Sequence, residues 1–242
     1  MKAFILAAGV SRRLYPHTYN IPKCLLNVGG KPIIHYQLDA LKSIGIVDIV
    51  MIVGYHRELL INHLKEAYPE INFEFIINHH YFETNTAYSI YVGRKKLNTD
   101  YLLMNADVIY PKKMLQIIAG SEYKTALAVD IKLCGREEVK VIDGGNNTIV
   151  AIGKELIENQ CLGEFVGVAK LSNEFTLRFS KSLKDLVTSG GKNDYFEAAI
   201  QPLLKELSVN YVNVSKYNCV EIDFIEDLEL ARNIYNPENE SA

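Results

Sequence analysis

Short, almost wholly apolar runs alternate with stretches of helical periodicity through the first 105 residues, and few folds accommodate that order. Residues 3–7 (AFILA) and 47–53 (VDIVMIV) are runs of this kind, the second rich in β-branched side chains, as strands covered on both faces require. Between them residues 32–44 (PIIHYQLDALKSI) repeat apolar side chains at helical spacing, with Pro32 where a proline favours a helix start. The cycle recurs as a helix over 58–67, a strand over 73–77, a helix over 86–96 and a strand over 101–105. Repeated βαβ units predict an α/β fold with a doubly wound, mostly parallel sheet and its ligand at the carboxyl ends of the strands.

The second half has another texture. Residues 124–133, 139–142 and 148–152 read as extended, the last two joined by Asp143-Gly144-Gly145-Asn146-Asn147, a strong hairpin signal. A strand over 163–171, helices over 173–187 and 195–207, a strand over 209–214 and a helix over 225–235 complete the pattern. Together these predict a mixed sheet and a single domain over residues 1–235, with a first half of about 1–120, a second of about 121–235, and a frayed polar tail over 236–242.

The strand ends carry the chemistry. Strand one runs into Leu6-Ala7-Ala8-Gly9-Val10-Ser11, then Arg12, Arg13 and Leu14, with Pro22-Lys23 behind. Small residues let backbone N–H groups approach an anion closely, Arg13 can fork onto two phosphate oxygens, and Lys23 supplies a point charge. The spacing fits neither a Walker A loop nor a Gly-x-Gly-x-x-Gly turn. Strand two ends at Val53-Gly54-Tyr55, without the acid that would hold a ribose diol, which argues against a dinucleotide-dependent oxidoreductase. Other strands end at Asn78 and at Asn105-Ala106-Asp107, where a carboxylate either holds a metal or caps a turn. His79 and His80 are adjacent on a strand end and face opposite ways, so they are not a chelate.

Charge narrows the partners. With 26 basic against 29 acidic residues the chain carries −3, so no global field attracts nucleic acid or an anionic membrane, and phosphate affinity must be local. Cys24, Cys134, Cys161 and Cys219 lack Cys-x-x-Cys spacing, which argues against a zinc site or a disulfide framework and for a reducing, cytoplasmic setting. No apolar stretch approaches the ~20 residues of a membrane helix.

The stretch from Leu6 to Leu14 with Pro22-Lys23 resembles the Leu-Ala-Ala-Gly-x-Gly-Thr-Arg-Leu … Pro-Lys signature of the sugar-phosphate nucleotidyltransferase superfamily, with Ser11 and Arg12 in place of Gly and Thr. Glu221-Ile222-Asp223 followed by Ile225-Glu226-Asp227-Leu228 resembles that family's Asp-x-x-Glu-Asp-Leu ending. Asn85-Thr86-Ala87-Tyr88-Ser89 is similar to the Asn-Asn-x-Tyr-Ser stretch of bacterial choline-phosphate cytidylyltransferases. Gly163-Glu164-Phe165-Val166-Gly167 with Lys170, and Asp194-Tyr195-Phe196-Glu197, resemble segments of cytidylyltransferases acting on phosphocholine-like and aminoethylphosphonate-like acceptors.

The resemblance implies a Rossmann-like nucleotidyltransferase fold whose first half binds nucleotide and whose second half binds acceptor. It implies Mg²⁺-dependent transfer of CMP from CTP to a small phosphorylated or phosphonate acceptor, with release of pyrophosphate. Arg13 and Lys23 would be catalytic, and Asp107 and Asp223 would hold Mg²⁺. Leu6, Ala7, Ala8, Gly9, Val10, Ser11, Asn78, Asn85 and Ala106 would bind nucleotide, while Tyr88, Glu164, Lys170, Tyr195 and Glu197 would bind acceptor. Glu226 and Asp227 would favour the start of the final helix. Asn85 also fits a plain helix cap, Glu164 with Lys170 a glycine-bent strand bearing a surface ion pair, and Tyr195 a core aromatic. A sugar-1-phosphate or polyol-phosphate transferase using UTP, dTTP, GTP or CTP, and a non-catalytic nucleotide-sensing subunit, are the competing functions. A homodimer is compatible with all of these.

Overall fold

The computed structural model describes residues 1–236; most of the expected tail, residues 237–242, lies outside the described residues. Strands Lys2–Ala7 (β1), Asp48–Val53 (β2), Asn72–Ile77 (β3) and Tyr101–Asn105 (β4) are parallel, in the order β4-β1-β2-β3. Side chains of β1 alternate between the two sheet faces: Ala3, Ile5 and Ala7 join one buried cluster, Phe4 and Leu6 the other. Both faces are therefore apolar, which is why these strands read as continuous hydrophobic runs.

Helices Ile33–Ser43 (α1), Arg57–Ala67 (α2) and Lys112–Ala119 (α4) cover the first face, through Ile34, Leu38, Leu60, Leu64, Met114 and Ile118. Helix Thr86–Gly93 (α3) and helix Asn173–Thr188 (α5) cover the second, through Ile90, Phe175, Phe179 and Leu183. The winding is double, as the sequence predicts. Helix α4 had no counterpart in the sequence reading, because a helix of eight residues between Pro111 and Gly120 offers barely two turns of periodicity.

The remaining strands are Ala126–Asp130 (β5), Lys140–Asp143 (β6), Ile149–Gly153 (β7), Gly163–Leu171 (β8) and Asn210–Asn213 (β9). Strand β8 runs antiparallel to β4 through residues 168–171, antiparallel to β5 along its other edge, and meets the β6-β7 hairpin through Gly163 and Glu164. Strand β9 closes the edge parallel to β5. The sheet is thus one mixed layer of nine strands.

Two expected helices are shorter than predicted. The first ends at Gly93 and tightens into a 3₁₀ turn, Arg94–Lys96; Gly93 packs so closely on the sheet that a side chain there would lie 2.7 Å from Ile52 and 2.8 Å from Phe4. The second is helical only over Glu197–Ile200 (α6) and then 3₁₀ over Gln201–Lys205, where Pro202 has no N–H to extend the ladder. Helix Ile225–Ile234 (α7) closes the described chain, opened by Asp227, whose Oδ2 accepts from Phe224 N–H at 2.7 Å and Asp223 N–H at 2.9 Å.

Strand β8 bends at Gly167, which has φ +72°, and a Cβ there would meet Asn105 Nδ2 at 2.6 Å. The irregularity lies between Phe165 and Ala169 and lets one strand serve both β4 and the β6-β7 hairpin. Gly167→Ala is expected to cost about 2–4 kcal/mol from left-handed strain and overpacking together. Urea denaturation checks this, and a loss below about 0.5 kcal/mol contradicts it.

Candidate active site

The strand ends of β1 and β4 are locked together where Ala106 N–H donates to Leu6 O at 3.0 Å. Gln37, fully buried on α1, donates through Nε2 to Asn105 O and Val108 O, both at 2.7 Å, and so fixes the turn that carries Asp107. Immediately beyond, Val108–Ile109 pairs antiparallel with Val220–Glu221, and Ile222 N–H donates to Asp107 O at 3.0 Å. This two-residue ladder brings the C-terminal acids beside Asp107.

Lys23 reaches into the group from the other side. Its ammonium lies 2.7 Å from Asp107 Oδ2 and 2.8 Å from Asp223 Oδ1, while Arg13 donates to Asp223 Oδ2 at 2.7 Å. Burial alone would lower the Lys23 pKa, but Asp107 and Asp223 outweigh it and hold the ammonium charged. Burial likewise opposes ionisation of Asp223, yet Lys23 and Arg13 keep its carboxyl below the usual range. Glu221 has less help: burial, then the charges of Asp107 and Asp223, raise it well above an ordinary glutamate, and Lys23 offsets this only in part.

These groups border a cavity of about 690 Å³. One wall is Leu6, Ala8, Gly9, Val10, Ser11, Arg12 and Arg13 with Asn85 and Ser89. Ser11 adopts φ +53°, the left-handed conformation that glycine would take freely, and its carbonyl accepts from Thr18 Oγ at 2.9 Å. The following loop is pinned by Tyr55, whose hydroxyl donates to Tyr19 O at 2.9 Å.

The opposite wall comes from the second half. Glu164 Oε2 pairs with Lys132 at 2.7 Å, Lys154 lies 4.3 Å over the Tyr195 ring, and Glu197 is only 4% exposed with Oε2 lacking any partner among the described residues. Burial raises Glu197 to about 7, with Lys154 opposing. The segment 131–139 overhangs this end: buried Lys140 donates to the carbonyls of Gly135 and Glu138 at 3.1 Å, and Glu137 faces Arg13 at 4.0 Å. The walls are joined where Phe196 N–H donates to Thr86 Oγ at 3.0 Å.

Five expected positions lie elsewhere than expected or one layer back. Lys170 is at the far end of β8, opposite Leu102, with Nζ donating to Ser121 O at 2.6 Å and no part in the cavity lining. Six steps along the strand, up to about 20 Å, separate it from Glu164, so the two do not share one small acceptor. Tyr88 faces away, edge-on to His80, because Asn85, Thr86 and Ser89 occupy the cavity side of α3. Asn78 is fully buried and donates to Thr84 Oγ and Ser89 Oγ, holding the loop over 79–85 and touching no cavity surface. Ala7 and Ala106 stand behind the main wall, around a recess of about 40 Å³ shared with Lys23 and Asp107.

A family model described as Nucleotidyl transferase matches residues 2–140. The chain belongs to the nucleotidyl transferase family. It is 30% identical to the choline-phosphate cytidylyltransferase of Streptococcus pneumoniae over 99% of this chain and 100% of that protein. It is 28% identical to the CTP:phosphoglutamine cytidylyltransferase of Campylobacter jejuni over 95% of this chain and 98% of that one. A solved structure of the CTP:phosphocholine cytidylyltransferase from Streptococcus pneumoniae superimposes with a TM-score of 0.80 at 26% identity, covering 96% of this chain and 98% of that chain.

For a nucleotidyl transferase the acidic cluster is the natural metal candidate. Asp107, Glu221 and Asp223 offer carboxylate oxygens all within 4.8 Å of one another, the one such group of three among the described residues. Asp107 Oδ1 is buried without a partner among the described residues, and an all-oxygen set suits a hard divalent cation. Sequence reading missed Glu221 as a member, although its two-residue spacing from Asp223 on an extended segment was a usable signal. Lys132, Lys154, Gln37 and Lys140 were also missed; only their packing distinguishes them from ordinary lysines and a helix glutamine.

The raised Glu197 gives a pH signature. A carboxyl with a folded pKa near 7 and an unfolded value near 4.5 binds its proton more tightly when folded, so the fold loses stability as pH rises through that window. Above pH 7 the penalty approaches roughly 3 kcal/mol. Glu197→Gln is expected to be close to wild type in stability at pH 4.5 and more stable by about 2–3 kcal/mol at pH 8. Denaturant titrations at both pH values check this; an equal difference at both shows that Glu197 ionises normally.

Proposed function

We propose that this nucleotidyl transferase is a Mg²⁺-dependent cytidylyltransferase, moving CMP from CTP to a small phosphorylated or phosphonate acceptor that bears a cationic end. The observation that carries the reading is the convergence of Lys23 with Asp107, Glu221 and Asp223 on a cavity whose two walls differ in chemistry. The wall from Leu6 to Arg13 offers backbone groups and cations, which suits a triphosphate. The other wall offers Glu197, Tyr195 and Glu164, which suit an ammonium through charge and ring attraction. The likeness to proteins named for phosphocholine and phosphoglutamine supports a small phosphorylated acceptor, and both are named cytidylyltransferases.

In this scheme an acceptor phosphate or phosphonate oxygen forms a bond to the α-phosphorus as the α–β phosphoanhydride bond breaks and pyrophosphate departs. The attacking oxygen is already anionic at neutral pH, so no general base is required. Asp107, Glu221 and Asp223 would hold the Mg²⁺, which when bound neutralises phosphate charge. Lys23 supplies positive charge near the transferred phosphoryl group, Arg13 orients the triphosphate, and Asn85 at the start of α3 offers an amide to the nucleotide.

Lys23→Ala is expected to lower kcat by about tenfold or more, the effect of losing one transition-state charge contact. Asp107→Asn and Glu221→Gln are expected to abolish metal-dependent turnover in a pyrophosphate-release assay. Wild-type protein assayed with CTP, UTP, dTTP or GTP against phosphocholine, phosphoethanolamine, aminoethylphosphonate, phosphorylated amino acids and sugar phosphates identifies the substrate pair. Release confined to UTP or dTTP with a sugar-1-phosphate overturns the proposed class, and near-normal turnover by the Lys23 and Asp107 variants overturns the mechanism.

A further inference from the structure

Arg12 is the one cation of the loop after β1 that the scheme above leaves without work. Arg13 is engaged with Asp223, and Lys23 with Asp107 and Asp223. Arg12 makes no ion pair among the described residues; its guanidinium instead lies 4.2 Å over the ring of Phe82. Phe82 belongs to the loop after β3 and is 67% exposed, so its ring is not there to fill a core. Both residues line the cavity on the side of Gly9 to Ser11, and their contact bridges the two loops that flank it.

We propose that Arg12, on the nucleotide reading of this cavity, is a further ligand for the terminal phosphates of the nucleoside triphosphate, reached by exchanging the Phe82 ring for phosphate oxygens. A cation–π contact at an exposed site is weaker than a forked, charge-assisted hydrogen bond to phosphate, so the exchange runs toward phosphate. The carboxylates that hold Arg13 and Lys23 also blunt their charge toward a polyanion, whereas Arg12 brings its full charge. Its place one residue beyond the left-handed Ser11 keeps its backbone next to the anion-facing turn while its side chain lines the cavity and reaches the Phe82 ring. Arg12 would therefore set affinity for the triphosphate tail without touching base or ribose.

Isothermal titration of the full chain with CTP, CMP and inorganic tripolyphosphate tests this. Arg12→Ala is expected to weaken CTP and tripolyphosphate by about tenfold or more and to leave CMP within about twofold. Arg12→Lys, which keeps the charge and loses the fork, is expected to recover part of that loss. Phe82→Leu is expected to bind CTP at least as tightly as wild type, since only the competing ring is removed. Equal weakening of CTP and CMP by Arg12→Ala, unchanged tripolyphosphate binding, or a tenfold loss of CTP in Phe82→Leu overturns the assignment. Tripolyphosphate needs neither base recognition nor turnover, so a wild type that binds it through Arg12 yet releases no pyrophosphate with any nucleotide defeats the cytidylyltransferase reading while leaving Arg12 assigned.

Discussion

The ammonium of Lys23, 2.7 Å from Asp107 and 2.8 Å from Asp223, is the contact on which the rest of the cavity depends. Three carboxylates within 4.8 Å of one another are mutually repulsive, and half-buried charges are costly unless paired. Lys23 relieves two of them at once, and Arg13 adds a second cation to Asp223. Glu221, the acid left over, is the one whose ionisation is most opposed. The cluster is therefore short of positive charge, which is the condition under which a divalent cation and a polyanionic substrate are taken up together. Removing Lys23 would leave the same carboxylates facing one another, so its structural and chemical contributions cannot be separated by an alanine substitution alone. A charge-retaining change, Lys23→Arg, separates position from charge.

Much of this was legible because the α/β sheet announces itself locally. Runs such as residues 3–7 and 101–105 are apolar on both faces, and chemistry in such folds gathers where they end, so Asp107 and the Leu6 to Arg13 turn could be placed without coordinates. Asp223 lies 116 residues beyond Asp107 in sequence, and nothing local pairs them; the connection rests on two residues of ladder, too short to leave a periodic trace. Gln37 illustrates the opposite difficulty. A glutamine on a helix is usually solvated, and only the fold shows that its amide is committed to two strand-end carbonyls.

Strand β8 marks the limit of reading a motif as a unit. Gly163 to Lys170 looks like one acceptor-binding segment, yet a strand advances about 3.4 Å per residue and a glycine bulge intervenes. Glu164 consequently faces the cavity beside Lys132, while Lys170 serves the opposite edge of the sheet. Tyr88 fails for the helical version of the same reason: a turn of α3 has only one side toward the cavity, and Asn85 and Ser89 occupy it. Proximity in sequence predicts shared function only when the element's period returns the side chains to the same face.

The two walls are physically coupled, and that coupling bears on how one cavity would accept two substrates. Arg13 on the phosphate side faces Glu137 of the overhanging segment at 4.0 Å, and the backbone of Phe196 is anchored on Thr86 at the start of α3. Arg13 thus has two acidic partners, one on each wall, and a triphosphate would compete with both. Drawing Arg13 onto phosphate would weaken its hold on Glu137 without freeing the overhang, which stays anchored by Lys140 on the carbonyls of Gly135 and Glu138, by Lys132 on Glu164 at 2.7 Å and by Phe165 N–H on Val139 O at 2.8 Å. Glu197 and Tyr195, on elements tied to α3, would keep their positions as well, so that in the proposed chemistry acceptor selection would depend on a rigid face.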